Sequence, residues 1–302
     1  MPLDPAIKTV LDQLEAVGGP ALHEVSPDEA RQMMKLLTAI EGEPEAVAKV
    51  EDRTIAGVPV RVYAPDGGPQ PILVWYHGGG WVIGDLDTTD GVVRKLANRA
   101  NAVVVSVDYQ LAPEHPYPTP VDDCWAVLEW VAANGAELGG DPTRLAVGGD
   151  SAGGNLSAVM AIKARDAGIP LRHQLLVYPA VDLTLSFPSI DENGEGYLLT
   201  KDSMVWFTNH YLGGADPKDP QISPYYADDI SGVAPAHVLT AEFDPLRDEG
   251  EAYAERLKDA GVAVDVKRYD GMIHGFYGLG IVTPVADEAI DASAAALRAA
   301  FA

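Results

Sequence analysis

The sequence predicts an α/β protein: a mostly parallel central sheet flanked by helices on both faces, with a helical cap. Three observations carry that expectation. Short apolar strand-like runs alternate with helical segments through most of the 302 residues. The alternation breaks between residues 182 and 229, where the chain is loop-rich around a single helix. Finally, Leu145-Ala146-Val147-Gly148-Gly149-Asp150-Ser151-Ala152-Gly153-Gly154-Asn155 reads as a buried strand, an abrupt glycine-flanked turn carrying a serine, and a helix opening at small residues.

Each element has its own signal. Residues 4–17 place Ile7, Val10, Leu11, Leu14 and Val17 at helical spacing, and Gly18-Gly19-Pro20 stops that helix. Ser26-Pro27-Asp28-Glu29 is a capping box with proline at the first helical position, opening a helix with Met33, Met34, Leu37 and Ile40 on one side. Strand signals begin only after these two helices, with 53–56 and 58–63 as a hairpin around Gly57. Strands are then expected at 72–76, 103–107, 145–147, 175–178, 236–241 and 262–269. Helices are expected at 88–98, 120–133, 151–167, 248–260 and 284–301, and one inside 182–229 is opened by Thr200 or Asp202 and ended by Gly213-Gly214. The chain therefore divides into N-terminal cap helices (1–45), a first part of an α/β body (46–181), an inserted cap segment (182–229) and a second part of the body (230–302). The cap is expected over the C-terminal edge of the sheet, where open α/β sheets bind ligands.

Composition narrows the partners. The chain is 47% hydrophobic and 22% charged, as a globular protein is, without repeats. Acidic residues outnumber basic ones 45 to 21, giving a formal charge of −24. Nucleic acid and anionic membrane surfaces both reward basic patches, so neither is an expected partner. No stretch approaches the ~20 apolar residues of a membrane span. The start Met1-Pro2-Leu3-Asp4-Pro5 lacks the basic and apolar regions of a secretory signal. Cys124 is the one cysteine and lies in an apolar helical pattern, so no internal disulfide forms and a cytoplasmic setting is expected. An exposed edge strand offers a surface for a homodimer.

The chemistry-bearing residues fall at strand ends. Gly149-Asp150-Ser151-Ala152-Gly153 fits the G-x-S-x-G nucleophile elbow, in which a strained turn lifts the serine hydroxyl to a helix N-terminus. Flanking glycines are needed there because side chains two residues either side would collide. After the strand 72–76 stands His77-Gly78-Gly79-Gly80-Trp81, a glycine turn matching the HGGG oxyanion motif. The N–H groups of Gly79 and Gly80, with that of Ala152, are the candidate donors to an oxyanion, and His77 is expected to anchor the loop. Of the histidines after Ser151, His173 and His237 stand ahead of strands at the wrong edge, and His210 lies on the cap helix. His274 follows the last strand in the loop Asp270-Gly271-Met272-Ile273-His274-Gly275-Phe276, at the catalytic edge, and is the candidate base. The candidate acids are Asp244 and Glu242, just past 236–241; spacing favours Asp244 but leaves both open. Asp150 is expected to point away from the hydroxyl and pair inside the fold.

Taken together, His77-Gly78-Gly79-Gly80-Trp81, Asp108-Tyr109-Gln110-Leu111-Ala112-Pro113-Glu114, Gly149-Asp150-Ser151-Ala152-Gly153-Gly154-Asn155, Asp244-Pro245-Leu246-Arg247-Asp248 and His274-Gly275-Phe276 resemble the hormone-sensitive-lipase-like carboxylesterases, bacterial family IV, of the α/β-hydrolase fold. The elbow is similar to that of the GDSAG subgroup, and the likeness spans nearly the whole chain. It implies Ser151 as nucleophile with Asp244 and His274 completing a triad, so that Asp244 is preferred over Glu242. It also implies a cap made of the N-terminal helices and the insertion, no metal or organic cofactor, and small esters of short to medium acyl chains as substrates. Met34, Leu37, Met204, Phe207 and Tyr211 are candidates for lining the pocket, with plain packing of cap on body as the alternative for each. One departure is Gln110, where the family carries arginine, which removes a charge from a structural ion pair. Two rivals share the fold: a non-catalytic small-molecule receptor, disfavoured by the presence of His274, and an amidase or peptidase using the same triad.

Overall fold

Eight strands form one sheet in the order β1-β2-β4-β3-β5-β6-β7-β8. They are β1 (Lys49–Ile55), β2 (Val58–Ala64), β3 (Gln70–Tyr76), β4 (Val103–Val107), β5 (Gly140–Asp150), β6 (His173–Val177), β7 (Ala236–Phe243) and β8 (Val264–Ile273). β1 and β2 are antiparallel to their neighbours and every later pairing is parallel. This computed structural model describes residues 1–38 and 44–302, the side chains of Leu37 and Thr38 excepted. Leu37's side chain and Ile40 therefore lie outside the described residues.

The strand sequences explain the layering. In β3 every residue from Pro71 to Tyr76 is buried, and β4 and β6 are buried throughout, as strands covered on both faces must be. Alternate residues feed separate cores. Ile72, Val74 and Tyr76 pack with Val121, Val127 and Val131 of α4 (Thr119–Asn134) and with Leu156 and Met160 of α5 (Ala152–Ala167). Leu73 and Trp75 face the other way, with Val93 and Leu96 of α3 (Asp90–Ala100) and Ile290 and Leu297 of α9 (Pro284–Phe301). A third cluster joins Leu176 and Val238 to Tyr253 and Leu257 of α8 (Arg247–Asp259). Each such aliphatic side chain contributes ~1.5–3 kcal/mol by burial.

Before the sheet come α1 (Pro5–Val17) and α2 (Pro27–Thr38). Ile7 of α1 is buried in the α3–α9 core, while Leu14 and Val17 are exposed. In α2 the capping box forms as expected: Ser26 N–H donates to Glu29 Oε2 at 2.9 Å and Glu29 N–H to Ser26 Oγ at 3.3 Å. Ala30 and Met34 pack in the same core as Met204, Phe207 and Tyr211 of the insertion helix. Within 182–229 the chain makes a single turn, α6 (Ser189–Glu192), then α7 (Lys201–Leu212), whose N-cap Thr200 accepts from Ser203 N–H.

Three strands outrun the expectation by four residues or more, β1 by beginning at Lys49 rather than at residue 53. β5 begins at Gly140 rather than near Leu145, because Gln70 and Pro71 pair with Gly140 and Asp141 before the register shifts. β8 continues through Ile273, so residues 270–273 are strand and not loop. Gly271, at φ +80°, absorbs the irregularity, and pairing resumes at Phe243 with Ile273. As a consequence, His274 leaves directly from a strand end.

Candidate active site

β5 delivers Ser151 to the C-terminal edge. The serine sits at φ 56°, ψ −116°, a strained conformation for a residue with a Cβ, held by its N–H donating to Val177 O at 2.9 Å. The flanking glycines are obligatory. A Cβ on Gly153 would lie 1.8 Å from Tyr76 O, and one on Gly149 2.4 Å from both Tyr76 O and the Gly153 carbonyl. The turn therefore packs directly on the end of β3, which is where the next functional loop begins.

That loop is residues 77–81. Gly79 and Gly80 have φ +112° and +57°, and Gly79 O accepts from Val82 and Ile83 N–H at 3.1 and 2.9 Å, closing a tight turn. Among the described residues, nothing accepts from the N–H groups of Gly79, Gly80 or Ala152. His77 is buried and stacked on Tyr109, with centroids 4.3 Å apart, and its Nδ1 lies 2.6 Å from Gly78 O. The Tyr109 hydroxyl donates to His77 O at 2.7 Å. His77 is thus part of the loop's scaffold, its imidazole held neutral by burial. Asp150 turns from the hydroxyl and accepts Gly78 N–H at 3.0 Å, joining elbow to loop. Burial pushes its carboxyl up to about 6, opposed by that N–H.

Asp244 comes one residue past β7 and His274 one past β8, so the parallel register brings them together. His274 Nδ1 is 2.8 Å from Asp244 Oδ2, and His274 Nε2 is 3.0 Å from Ser151 Oγ. Asp244 is fully buried, and its Oδ1 accepts Leu246 N–H at 2.8 Å across Pro245. Glu242 is occupied elsewhere: it accepts Gly271 N–H at 2.7 Å and meets the N-terminal ammonium. Gln110 keeps a partner without the charge, its N–H and side-chain amide reaching Asp123 at 2.9 and 3.2 Å.

The other histidines lie elsewhere. His173 and His237 are buried at the starts of β6 and β7, and His210 packs on Trp206 on α7. Of the cap candidates, Phe207 reaches the oxyanion loop: its ring occupies the space where a Cβ on Gly80 would lie, 2.3 Å from ring atoms. Tyr211 stacks on Trp81 at 4.3 Å, Met204 is buried on the same helix, and Met34 is half-buried in the same core. A surface hollow of about 720 Å³ lined by Thr143, Ile169 and Leu171 opens at the opposite end of the strands and touches none of these groups.

Sequence reading missed three supporting residues. Asn155, fully buried, donates to Ala180 O and Ile222 O at 2.8 and 2.7 Å, tying α5 to the insertion. Asn193 donates to Asp244 O at 3.1 Å. Tyr178, just past β6, places its ring 4.6 Å from that of His274. Tyr178 carried a signal as an aromatic at the end of a buried strand, and Asn155 as the last residue of the elbow motif.

A family profile described as the alpha/beta hydrolase fold matches residues 73–278. The carboxylesterase NlhH of Mycobacterium tuberculosis is 47% identical, over 99% of this chain and 96% of that protein. The ethyl acetate hydrolase of Pseudomonas putida is 36% identical over 96% of each. Among solved structures, the hyperthermophilic esterase from the archaeon Pyrobaculum calidifontis superposes with a TM-score of 0.94 at 44% identity, over 100% of both chains.

Proposed function

Given that the chain belongs to the alpha/beta hydrolase family, in its hormone-sensitive-lipase-like branch, we propose that it is a serine carboxylesterase acting on small esters of short to medium acyl chains. The observation that carries this reading is the unbroken chain of contacts from Asp244 through His274 to Ser151, at 2.8 and 3.0 Å, beside three uncommitted N–H groups. The relatives support the reaction class, being named as esterases and ester hydrolases.

The mechanism follows from these groups. Ser151 Oγ attacks the ester carbonyl carbon as His274 Nε2 takes its proton, and Asp244 steadies the resulting imidazolium. The carbonyl π pair moves onto oxygen, and that oxyanion is met by the N–H groups of Gly79, Gly80 and Ala152. Losing one such donor typically costs ~10²–10³ in rate. As the tetrahedral centre collapses, the bond to the alcohol oxygen breaks and His274 returns its proton there, leaving an acyl-serine. Water, deprotonated by His274, repeats the sequence and releases the acid and Ser151. Every proton and electron pair is accounted for by these residues, the ester and water.

The N-terminal helices and the insertion supply the cap in this proposal, with Phe207 of the insertion lying against Gly80. Arg31 of α2 supports that role by donating to Val82 O at 2.9 Å and Ala112 O at 3.0 Å and pairing with Glu114, which fastens the helix to the oxyanion loop. The receptor alternative gains nothing from an ordered base and acid, and nothing in the site favours an amine-recognising amidase. A cytoplasmic setting suits the one buried thiol, Cys124; no described helix is long and apolar enough to cross a membrane.

The test is hydrolysis of p-nitrophenyl esters of increasing acyl length by wild type and Ser151→Ala. Wild type is expected to be fastest on short and medium chains, and the variant to lose at least ~10⁴-fold in kcat. An inactive wild type, or an undiminished variant, sinks the reading.

A further inference from the structure

The His274 imidazole lies against an aromatic ring. The Tyr178 and His274 ring centroids are 4.6 Å apart, inclined by 53°. Tyr178 is 2% exposed, and its other ring neighbour is Phe276, two residues past His274. The ring is held there against local preference: φ at Tyr178 is +34°, a left-handed value that costs a bulky side chain. Two constraints impose it. Tyr178 N–H donates to Leu239 O at 2.7 Å, and Pro179 is wedged against Gly154 of α5, where a Cβ would fall 2.9 Å from it. Strain retained beside a reacting group calls for a functional account.

The groups facing His274 supply one. Asp244 meets Nδ1, Ser151 meets Nε2, and the Asp150 carboxylate acts on it electrostatically from behind the elbow. Beside these polar groups stands the Tyr178 phenol, its centroid 4.6 Å from that of the imidazole and so within reach of a cation–π contact. Aromatic faces carry the negative lobe of a quadrupole and attract cations within ~6 Å of the centroid.

We propose that Tyr178 is a positioning residue whose ring steadies the His274 imidazolium formed in both halves of the ester hydrolysis. The proposal rests on the triad reading above. A neutral imidazole gains little from the quadrupole and the imidazolium gains more, so the benefit falls in the transition state and appears in kcat rather than KM. Its expected size is about tenfold.

The test replaces Tyr178 by phenylalanine and then by phenylalanines bearing one, two, three and five ring fluorines, which drain the π-face at nearly constant shape. Tyr178→Phe should stay within about twofold of wild type on a p-nitrophenyl ester. Along the fluorine series log kcat should fall steadily, to about a tenth at full substitution, with KM unchanged. Tyr178→Leu, which fills the space without a π-face, should show the same tenfold loss in kcat. A flat fluorine series, a leucine variant as fast as wild type, or a loss in Tyr178→Phe equal to that in leucine each overturns the proposal. If the fully fluorinated protein does not fold, the slope over one to three fluorines decides. Ser151→Ala run alongside keeps the two readings apart: activity surviving there condemns the triad, whereas a flat series with an inactive Ser151→Ala condemns only the role of Tyr178.

Discussion

The strands of this sheet carry histidines at both ends, and the ends differ in what surrounds them. At the C-terminal ends, His274 lies between a fully buried carboxylate and a serine hydroxyl, each nitrogen within 3.0 Å of a partner. At the N-terminal ends, His173 is more fully buried, yet among the described residues neither of its nitrogens has a partner. His237 beside it faces Asp265 at 2.8 Å, but the contact is not aligned as a hydrogen bond and the carboxylate is 76% exposed. A buried histidine is therefore no mark of a site by itself. What distinguishes His274 is an acid that water cannot reach, its second carboxylate oxygen held by Leu246 N–H and its main-chain carbonyl by Asn193.

The sharpest way to break that comparison is at the acids. Asp244→Asn keeps the shape and removes the charge that holds the imidazolium, so kcat is expected to fall by about 10⁴, as such changes do in serine triads. Glu242→Gln, two residues earlier in the chain, loses its contact with the N-terminal ammonium and should stay within about tenfold. Steady-state rates on one ester compare them. Equal losses would mean that burial and orientation are not what singles out the acid beside His274.

Much of the catalytic end was legible because parallel strands put their loops on one edge. A serine after one strand, a carboxylate after another and a histidine after a third reach the same edge when the strands are parallel, so motif and strand order made candidates of Ser151, His274 and the pair Asp244 and Glu242. The alternation of short buried strands with helices likewise carried the two helical layers, on which Ile72, Val74 and Tyr76 and, from the other face, Leu73 and Trp75 pack. The choice between Asp244 and Glu242 was not legible from spacing, since both leave the same strand end and only the long-range bonds to Gly271 N–H and His274 separate them. The insertion was legible as a break in rhythm and no further. Its attachment depends on side chains reaching backbone carbonyls far away, such as Asn155 to Ile222 and Arg31 to Val82, and local periodicity carries no trace of such bonds. β8 was underestimated for a related reason: Gly271 reads as a turn, but here it is a bulge within a continuing strand.

The smallest effect sharpens the comparison through pH. Near the catalytic end, burial raises Asp150 from 3.8 to about 6; at the other end, burial, reinforced by His237, lowers His173 from 6.5 to about 4. The signs are opposite. The folded protein binds a proton at Asp150 more readily than the unfolded chain, so this group's contribution is full below pH 3.8 and is lost as pH rises through 6. His173 resists protonation when folded, so its contribution is full above pH 6.5 and is lost as pH falls through 4. Each swing is on the order of 3 kcal/mol, and over the window from pH 7 to pH 4 they nearly cancel. Removing either group should unmask the other. Relative to wild type, Asp150→Asn should lose stability on acidification from pH 7 to 4, and His173→Gln should gain it, by about 3 kcal/mol in each case. The remaining titrating groups are common to all three proteins and drop out of the difference. Urea unfolding at several pH values reads the slopes. Parallel slopes in the three proteins would show that the two ends hold their titrating groups alike, and only divergence in these opposite directions preserves the contrast between them.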